Sequence, residues 1–329
     1  MKILIIRFSS MGDVILTSPV IRCVKRQLPD AEVHYLTKSA NYELLRANPY
    51  LHKIHLLDVE AEKVINQLQK EKFDYVLDLH HNLRSWKFKS ALSGKKYSFN
   101  KLNWAKWLRV HLKIDLLPRV HIVERYLATA KALGVKNDGL GLDYFIPDNA
   151  QLAATTFNPI LAAPFVAFSI GGQHQTKKIP QDKIAAICKQ IPHPILLLGG
   201  KEDAAVAEVV MALCPGQSIV SSCGAVNINQ SASLLQQAEV VITHDTALMH
   251  IAAAFGKKII AVWGNTIPEL GMYPYLPQHR ENAASFEVKG LSCRPCSKIG
   301  FSSCPKGHFN CMQQQNLEGI ASQANKWVK

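Results

Sequence analysis

No stretch of the chain is apolar for anything near the ~20 residues that a membrane span requires. One Lys and only the four-residue apolar run Ile3 to Ile6 stand between Met1 and Arg7, too short a run for a signal peptide. A cytoplasmic protein is expected. There is no GxGxxG, so the dinucleotide fingerprint is missing. GxxxxGK(S/T), HExxH and GxSxG are missing too, which argues against P-loop NTPases, zincins and α/β-hydrolases. None of the twelve aspartates stands as Asp-x-Asp, so a paired-carboxylate metal site for a sugar diphosphate has no local source. Acidic residues are the scarcer sign, 25 against 38 Lys+Arg, for a net charge of +13. The excess is local: Arg84 to Arg125 holds eleven Lys/Arg, opposed by Asp115 and Glu124 alone. Such a stretch attracts polyanions such as nucleic acid, anionic lipid headgroups or phosphorylated glycans; read blandly, it is a solvated basic face.

What is present suits a soluble globular protein. At 329 residues the chain can form two domains, each with its own core, and 48% hydrophobic with 19% charged residues is ordinary. Lys2 to Pro19 (KILIIRFSSMGDVILTSP) reads as a buried strand, a Ser/Gly loop at Ser9 to Gly12, and a helix opened by Asp13. In open α/β sheets ligands bind beyond the carboxyl ends of the strands, so Asp13 stands where a site would be, among helix N-terminal amides. Pro19 is a local cost unless it falls in a first helical turn or a kink. Strands at EVHYL (32–36), 54–57 and YVLDL (75–79) alternate with helical spacing at 60–71, 104–112 and 122–133, the last ended by Gly134. Continuous apolar strands in βαβα order predict a doubly wound parallel sheet.

Gly139, Gly141, Pro147, Pro159 and Pro164 then break the pattern, which puts a domain boundary near residues 148–163. The division taken is 1–155, 156–312 and a terminal helix, 313–329, that crosses back to the first domain. The second half repeats the design, with strands at 165–170, 195–198, 219–220, 240–243 and 259–263 and helices at 181–190, from 203, 232–238 and 247–255. Gly171-Gly172 and Gly199-Gly200 each follow a strand, where backbone amides can approach a phosphate. Lys177 and Lys178 stand just before the helix that Pro180 opens, and Asp245-Thr246 before the next. Taken alone, Asp13 and Asp245 are also what a helix N-cap would choose, Thr246 a cap and His250 a core histidine.

Five stretches carry a resemblance. RFSSMGDVILTSPVIRCVKRQLP resembles the opening of glycosyltransferase family 9, the bacterial lipopolysaccharide heptosyltransferases. ITHDTALMHIAAAFGKKIIAVWG resembles its second signature, a D-(S/T)-(G/A)-x-x-H helix start, with Ala247 where many members have Gly. TKKIP is similar to its K-x-W-P loop with Ile179 in place of Trp, LLLGGKED to its L-x-G-G-x-x-D strand end, and HIVERY to its H-x-V-E-R helix. The order is kept over nearly the whole chain.

The resemblance implies a GT-B fold: two facing Rossmann-like α/β domains with parallel sheets and a deep interdomain cleft. The acceptor belongs to the first domain and the donor to the second. It implies ADP-L-glycero-D-manno-heptose as donor and the Kdo/heptose inner core on lipid A as acceptor, with inversion and no catalytic metal or other cofactor. Asp13 is then the general base. Gly171, Gly172, Lys177, Lys178, Glu202, Asp245, Thr246 and His250 are the donor and phosphate candidates. Ser10, Gly12, Arg84, Lys87 and Arg125 are the acceptor candidates. Trp86, Trp104 and Trp107 among lysines suit a membrane-surface patch at the cytoplasmic face of the inner membrane, or core packing. A monomer that binds no nucleic acid is expected. Two other readings stay open: a transferase of the same fold using another nucleotide sugar, and a basic nucleic-acid-binding protein.

Cys23, Cys188, Cys214 and Cys223 are scattered in apolar contexts, as buried thiols of a reducing compartment would be. Cys293, Cys296, Cys304 and Cys311 fall within nineteen residues, with His308 among them. That density suits a structural zinc, though the spacing is not a standard knuckle; reduced, packed thiols are the other reading.

Overall fold

The computed structural model describes residues 1–58 and 60–329. The chain folds as two units, Met1–Leu102 with Val120–Pro147, and Asn103–Arg119 with Asp148–Lys329.

The first unit is built on a parallel sheet of β1 (Lys2–Ile6), β2 (Glu32–Thr37), β3 (Lys53–Leu56), β4 (Tyr75–Asp78) and β5 (Lys95–Ser98), in the order β3-β2-β1-β4-β5. Successive side chains of a strand point to opposite faces, so a strand covered on both sides must be apolar throughout. Leu4, Ile6, Leu36 and Val76 pack on Val64, Ile65 and Leu68 of helix Ala61–Glu71 and on Phe88 of helix Leu83–Ala91. Tyr35 points the other way, its hydroxyl 2.9 Å from Thr17 Oγ1 beside helix Ser18–Gln27. The opening helix is in fact two, Met11–Ile15 and Ser18–Gln27, and Pro19 falls in the first turn of the second, where its missing N–H costs no intrahelical bond. Helix Ile122–Leu127 continues as a 3₁₀ segment, Ala128–Leu133, and stops at Gly134 with φ +80°, a left-handed cap.

The second unit has six parallel strands: β6 (Val166–Ser169), β7 (Ile195–Leu198), β8 (Ile219–Ser221), β9 (Val240–His244), β10 (Lys258–Trp263) and β11 (Ala283–Glu287), in the order β11-β10-β9-β6-β7-β8. One face packs on Ile184 and Ile187 of helix Gln181–Cys188, Val210 of helix Ala204–Ala212 and Ile320, Ala321 and Ala324 of helix Leu317–Trp327. Helices Ile228–Gln237 and Ala247–Ala254 complete the frame. Each sheet reverses its order once, between β1 and β4 in the first unit and between β6 and β9 in the second. Ligands of such sheets bind beyond the strand ends at these switch points.

Three features differ from the sequence reading. The units divide at Pro147 rather than near residue 155, because 152–154 is tied to helix Ile228–Gln237: Ser233 Oγ and Gln237 Oε1 accept from the Leu152 and Ala154 amides, both at 2.9 Å. The terminal helix, Leu317–Trp327, sets Ile320, Ala321 and Ala324 into the second unit's core. Residues 103–119 leave the first unit for the second, where Leu117 meets Ile267 and Leu270, and Lys113 donates to the Cys293 and Pro295 carbonyls at 3.2 and 2.8 Å. Strands β5 and β11 carry no strand signal in the sequence because both are half-exposed edges, which tolerate the polar residues of KKYS and AASFE.

Candidate functional site

At the first switch point Asp13 is the third residue of its helix, not the cap. Ser10 caps the helix, and Asp13 Oδ2 reaches back to accept from Ser10 N (3.2 Å) and Ser10 Oγ (2.9 Å). Asp13 Oδ1 takes Arg7 Nη2 at 2.7 Å and the Tyr126 hydroxyl at 3.2 Å. Burial alone would raise this carboxyl. The Arg7 charge and the bonds from Ser10 and Tyr126 outweigh it and hold Asp13 below the usual carboxylate range. Arg7 is itself fixed, donating to the carbonyls of Ser9 (2.7 Å) and Leu79 (2.6 Å) and lying over the Tyr126 ring. Gly12 is buried in the helix behind Asp13.

The loop after β4 is organised by the fully buried Asp78, which accepts from the His80 and His81 amides and from Ser85 Oγ. It sets His80 against Phe8, ring centroids 4.9 Å apart. Burial and the Arg7 charge push the His80 imidazole down to about 4, and its Nδ1 has no hydrogen-bond partner among the described residues. Arg84 is exposed in the first turn of the following helix. Lys87 is not gathered here: it pairs with Glu62. Arg125 is turned to the Asn100 and Lys101 carbonyls and the Phe99 ring. It is its neighbour Tyr126 that reaches Asp13.

At the second switch point the strand ends of β6 and β9 bring the donor candidates together. Lys177 Nζ lies 2.6 Å from Asp245 Oδ2, which also accepts from Thr266 Oγ1 at 3.0 Å. Thr246 N-caps helix Ala247–Ala254. Gly171 and Gly172 are needed for close approach: a Cβ on Gly171 would lie 2.4 Å from Asp203 Oδ2, and one on Gly172 3.2 Å from Thr246 Cγ2. Lys178 is held by Asp203 at 2.6 Å, and Asp203 also accepts from the Gly200 amide at 2.9 Å. Asp203 is buried and Lys178 half-buried, and their pairing makes Lys178 a fixture of the loop. Glu202, next to Asp203, points to solvent. His250 is buried within its helix. Ile179, in place of Trp, is core, and its amide donates to His244 Nε2 at 3.0 Å.

The four clustered cysteines are free thiols, and the described residues do not bring them into one metal-ligand group. Cys311 is drawn into the apolar core beside Met312, while Cys293 instead has His308 Nε2 3.9 Å away. The zinc expectation is not met by this packing. Arg7, Tyr126 and Thr266 carry no site role in the sequence reading, and Asp203 enters it only with Glu202, as a loose match to the family's ribose-contacting region. Arg7 and Tyr126 lie within stretches quoted above, but only folding joins Tyr126 to Asp13, 113 positions apart.

Two sheets in Rossmann order, each with charged side chains gathered at its switch point, define the GT-B class of α/β proteins. Solved structures share this fold. The family 9 glycosyltransferase of Veillonella parvula superposes with a TM-score of 0.77 at 19% identity, over 99% of this chain and 96% of that one. The Escherichia coli heptosyltransferase WaaC with ADP gives 0.70 at 20% identity, over all of both chains. The chain belongs to glycosyltransferase family 9 (heptosyltransferase), whose family model matches residues 61–300. Lipopolysaccharide heptosyltransferase 1 of Campylobacter coli is 24% identical over 299 residues, 81% of this chain and 84% of the relative. The family read from the motifs is therefore borne out, and the protein is a glycosyltransferase.

Proposed function

We propose that this chain moves heptose from ADP-L-glycero-D-manno-heptose to the Kdo/heptose inner core of lipopolysaccharide, with inversion and without a catalytic metal. The observation that carries the reading is the Asp13 carboxylate, oriented by Arg7, Ser10 and Tyr126 at the first switch point. The family match begins beyond Asp13, so its role rests on this geometry. Support for the donor comes from the E. coli heptosyltransferase of the same fold, which was solved with ADP. Support for the acceptor comes from relatives that are lipopolysaccharide heptosyltransferases.

In this reading an acceptor hydroxyl attacks the anomeric carbon on the face opposite the diphosphate. The carbon–oxygen bond to the β-phosphate breaks, its electron pair leaves with ADP, and Asp13 takes the hydroxyl proton. Four donors already occupy the carboxylate, so the acceptor displaces one; the Ser10 hydroxyl, which can rotate, is the easiest to move. Lys177 turns from Asp245 to the leaving diphosphate, assisted by the amides around Gly171 and Gly172 and the start of helix Ala247–Ala254. Arg84, exposed beyond β4, meets anionic groups of the acceptor.

A lipid-linked acceptor requires contact with a bilayer. No residue of helix Asn103–His111 is buried; Trp104 (75% exposed) and Trp107 (45%) stack at 5.6 Å, and Leu112, Ile114 and Leu116 continue the apolar surface. Lys106, Arg109 and Arg119 lie within the same segment, a pattern suited to lying on an anionic membrane. No helix among the described residues is long and apolar enough to span one. The proposed location is the cytoplasmic face of the inner membrane, as a monomer.

Asp13→Asn tests the reading. Turnover is expected to fall ~10² to 10⁴-fold, the usual worth of a general base, with stabilisation by ADP unchanged. Turnover close to wild type removes Asp13 as base. Stabilisation by UDP or GDP in place of ADP keeps the chemistry and discards heptose.

A further inference from the structure

We propose that the first unit carries a divalent-cation site of the zinc class, formed by Glu32, His34 and His52 at the edge of the sheet opposite the catalytic loops. Glu32 opens β2, His34 follows two residues later on the same face, and His52 stands just before β3. The catalytic loops leave the other ends of the strands, roughly 16 Å away at 3.3 Å per residue along β2.

The three ligand atoms form a triangle of the size one ion fills. Glu32 Oε2 is 3.5 Å from His34 Nε2 and 3.7 Å from His52 Nε2, and all three lie within 4.8 Å of one another. Ligands held about 2.0–2.1 Å from a tetrahedral zinc are separated by roughly 3.3–3.4 Å, so the two Glu32–histidine separations are a few tenths of an ångström from that spacing, and the exposed His52 is the ligand that moves to close the third side. As hydrogen bonds the same contacts are long and weak. Two imidazoles and one carboxylate are a donor set for first-row divalent metals, and the fourth position is left to water.

His34 is supported as metal-bound imidazoles are. Its Nδ1 is 2.9 Å from His55 Nε2, the two rings stack with 15° between planes, and Phe73 closes on His34 edge-on at 5.1 Å. With His34 Nδ1–H donating to His55, the lone pair of Nε2 faces the Glu32 carboxylate. That tautomer presents Nε2 as a metal ligand beside the carboxylate, whereas the other one donates from Nε2 to Glu32 over 3.5 Å. His34 is buried and fixed, while His52 and Glu32 are exposed enough to admit an ion and close on it. Lys2, 3.4 Å from Glu32, is the competing cation, but it also holds Glu71 at 2.9 Å and keeps that partner when Glu32 turns to a metal. Glu71 lies within 4.8 Å of the His34 and His55 ligand atoms, but Lys2 and Lys53, at 2.9 and 2.7 Å, already occupy its two oxygens. Binding would clasp the segment before β3 to β2 and fasten the sheet's edge.

The test is Co²⁺ and Zn²⁺ titration of the full chain, of His52→Ala, of Glu32→Gln and of a Cys293→Ser/Cys296→Ser variant. The wild-type protein is expected to take up one Co²⁺ with visible d–d bands and no thiolate-to-cobalt charge-transfer band at this site. Affinity should fall at least tenfold in His52→Ala and Glu32→Gln and persist in the cysteine variant. A Zn-edge anomalous map should place the ion among Glu32, His34 and His52. Absence of binding, unchanged affinity in both ligand variants, or loss confined to the cysteine variant would each overturn the proposal. Both ligand variants change exposed side chains, and retained ADP stabilisation verifies that they fold.

Discussion

Arg7 Nη2 lies 2.7 Å from Asp13 Oδ1, so the carboxylate proposed as base is already paired with a cation that opposes its protonation. A base with a depressed pKa is weak, yet it stays ionised over the whole working range, and its fixed direction compensates for the lost strength.

That pairing makes a pH prediction. In the wild-type enzyme the acid limb of kcat/KM that belongs to Asp13 should lie below the ordinary carboxylate value of about 3.9. Arg7→Gln removes the main opposing charge and leaves burial to raise the pKa. Activity needs the ionised form, so the acid limb should move to higher pH. Stability carries the same sign: the pairing contributes above the unfolded pKa and is lost as pH falls through the folded one. A pH–rate profile of Arg7→Gln superimposable on wild type would separate Arg7 from the tuning of Asp13.

Lys177 and Lys178 are adjacent but should fail differently. Lys177→Ala is expected to weaken ADP binding by about 10- to 100-fold, the loss of one charged hydrogen bond, with little change in melting temperature. Lys178→Ala strands the buried Asp203 and should destabilise the fold by roughly 3–5 kcal/mol, with its ADP affinity reduced less. Calorimetric titration beside denaturant unfolding distinguishes the two; interchanged phenotypes would reverse the roles.

Arg22 anchors the end of the first unit. Buried in helix Ser18–Gln27, it binds both oxygens of Asp138 at 2.8 Å and the Gly141 carbonyl at 2.8 Å. Its Nη1 also pairs with Asp143 Oδ2 at 2.5 Å, so Arg22→Met deprives both carboxylates of their cation and should cost roughly 3–5 kcal/mol in urea unfolding. Arg22→Lys should recover little of it, because an ammonium cannot reproduce the two-pronged contact. Near-wild-type stability of either variant would show that the fork is dispensable.

The exposed indoles should matter to bilayers and to nothing else. Trp104→Ser with Trp107→Ser is expected to weaken sedimentation with anionic vesicles by roughly tenfold, about 1.4 kcal/mol. Melting temperature and transfer to a lipid-free acceptor should be unchanged. A fall in stability instead would mean that the pair packs rather than docks.

Much of the fold was legible in the chain itself. A parallel strand covered on both faces is apolar along its buried length, and ILII, ILLL and VVI are so. The loops following such strands could be named as ligand-bearing before any coordinates, and Asp13, Gly171, Lys177 and Asp245 lie in them or at the helix starts they feed. Edge strands were not legible, since exposure removes the apolar signal that burial writes into a central strand.

Partnership was beyond the sequence. Local pattern says which residues are buried, not which distant side chain arrives beside them. That Tyr126 and Arg7 share one carboxylate, that Asp203 and not its neighbour Glu202 locks Lys178, and that Cys311 packs in the apolar core all depend on where loops end after the helices have packed. The histidines of β2 and its neighbour are the same kind of case. Positions 34, 52 and 55 carry no spacing motif, and only the register that sets His34 against Lys53 and Leu36 against His55 brings their rings together. The sequence determined two parallel sheets and the loops that bear the chemistry, because burial is a local demand; tertiary structure alone decided the ion pairs, because they are settled by the meeting of segments far apart in the chain.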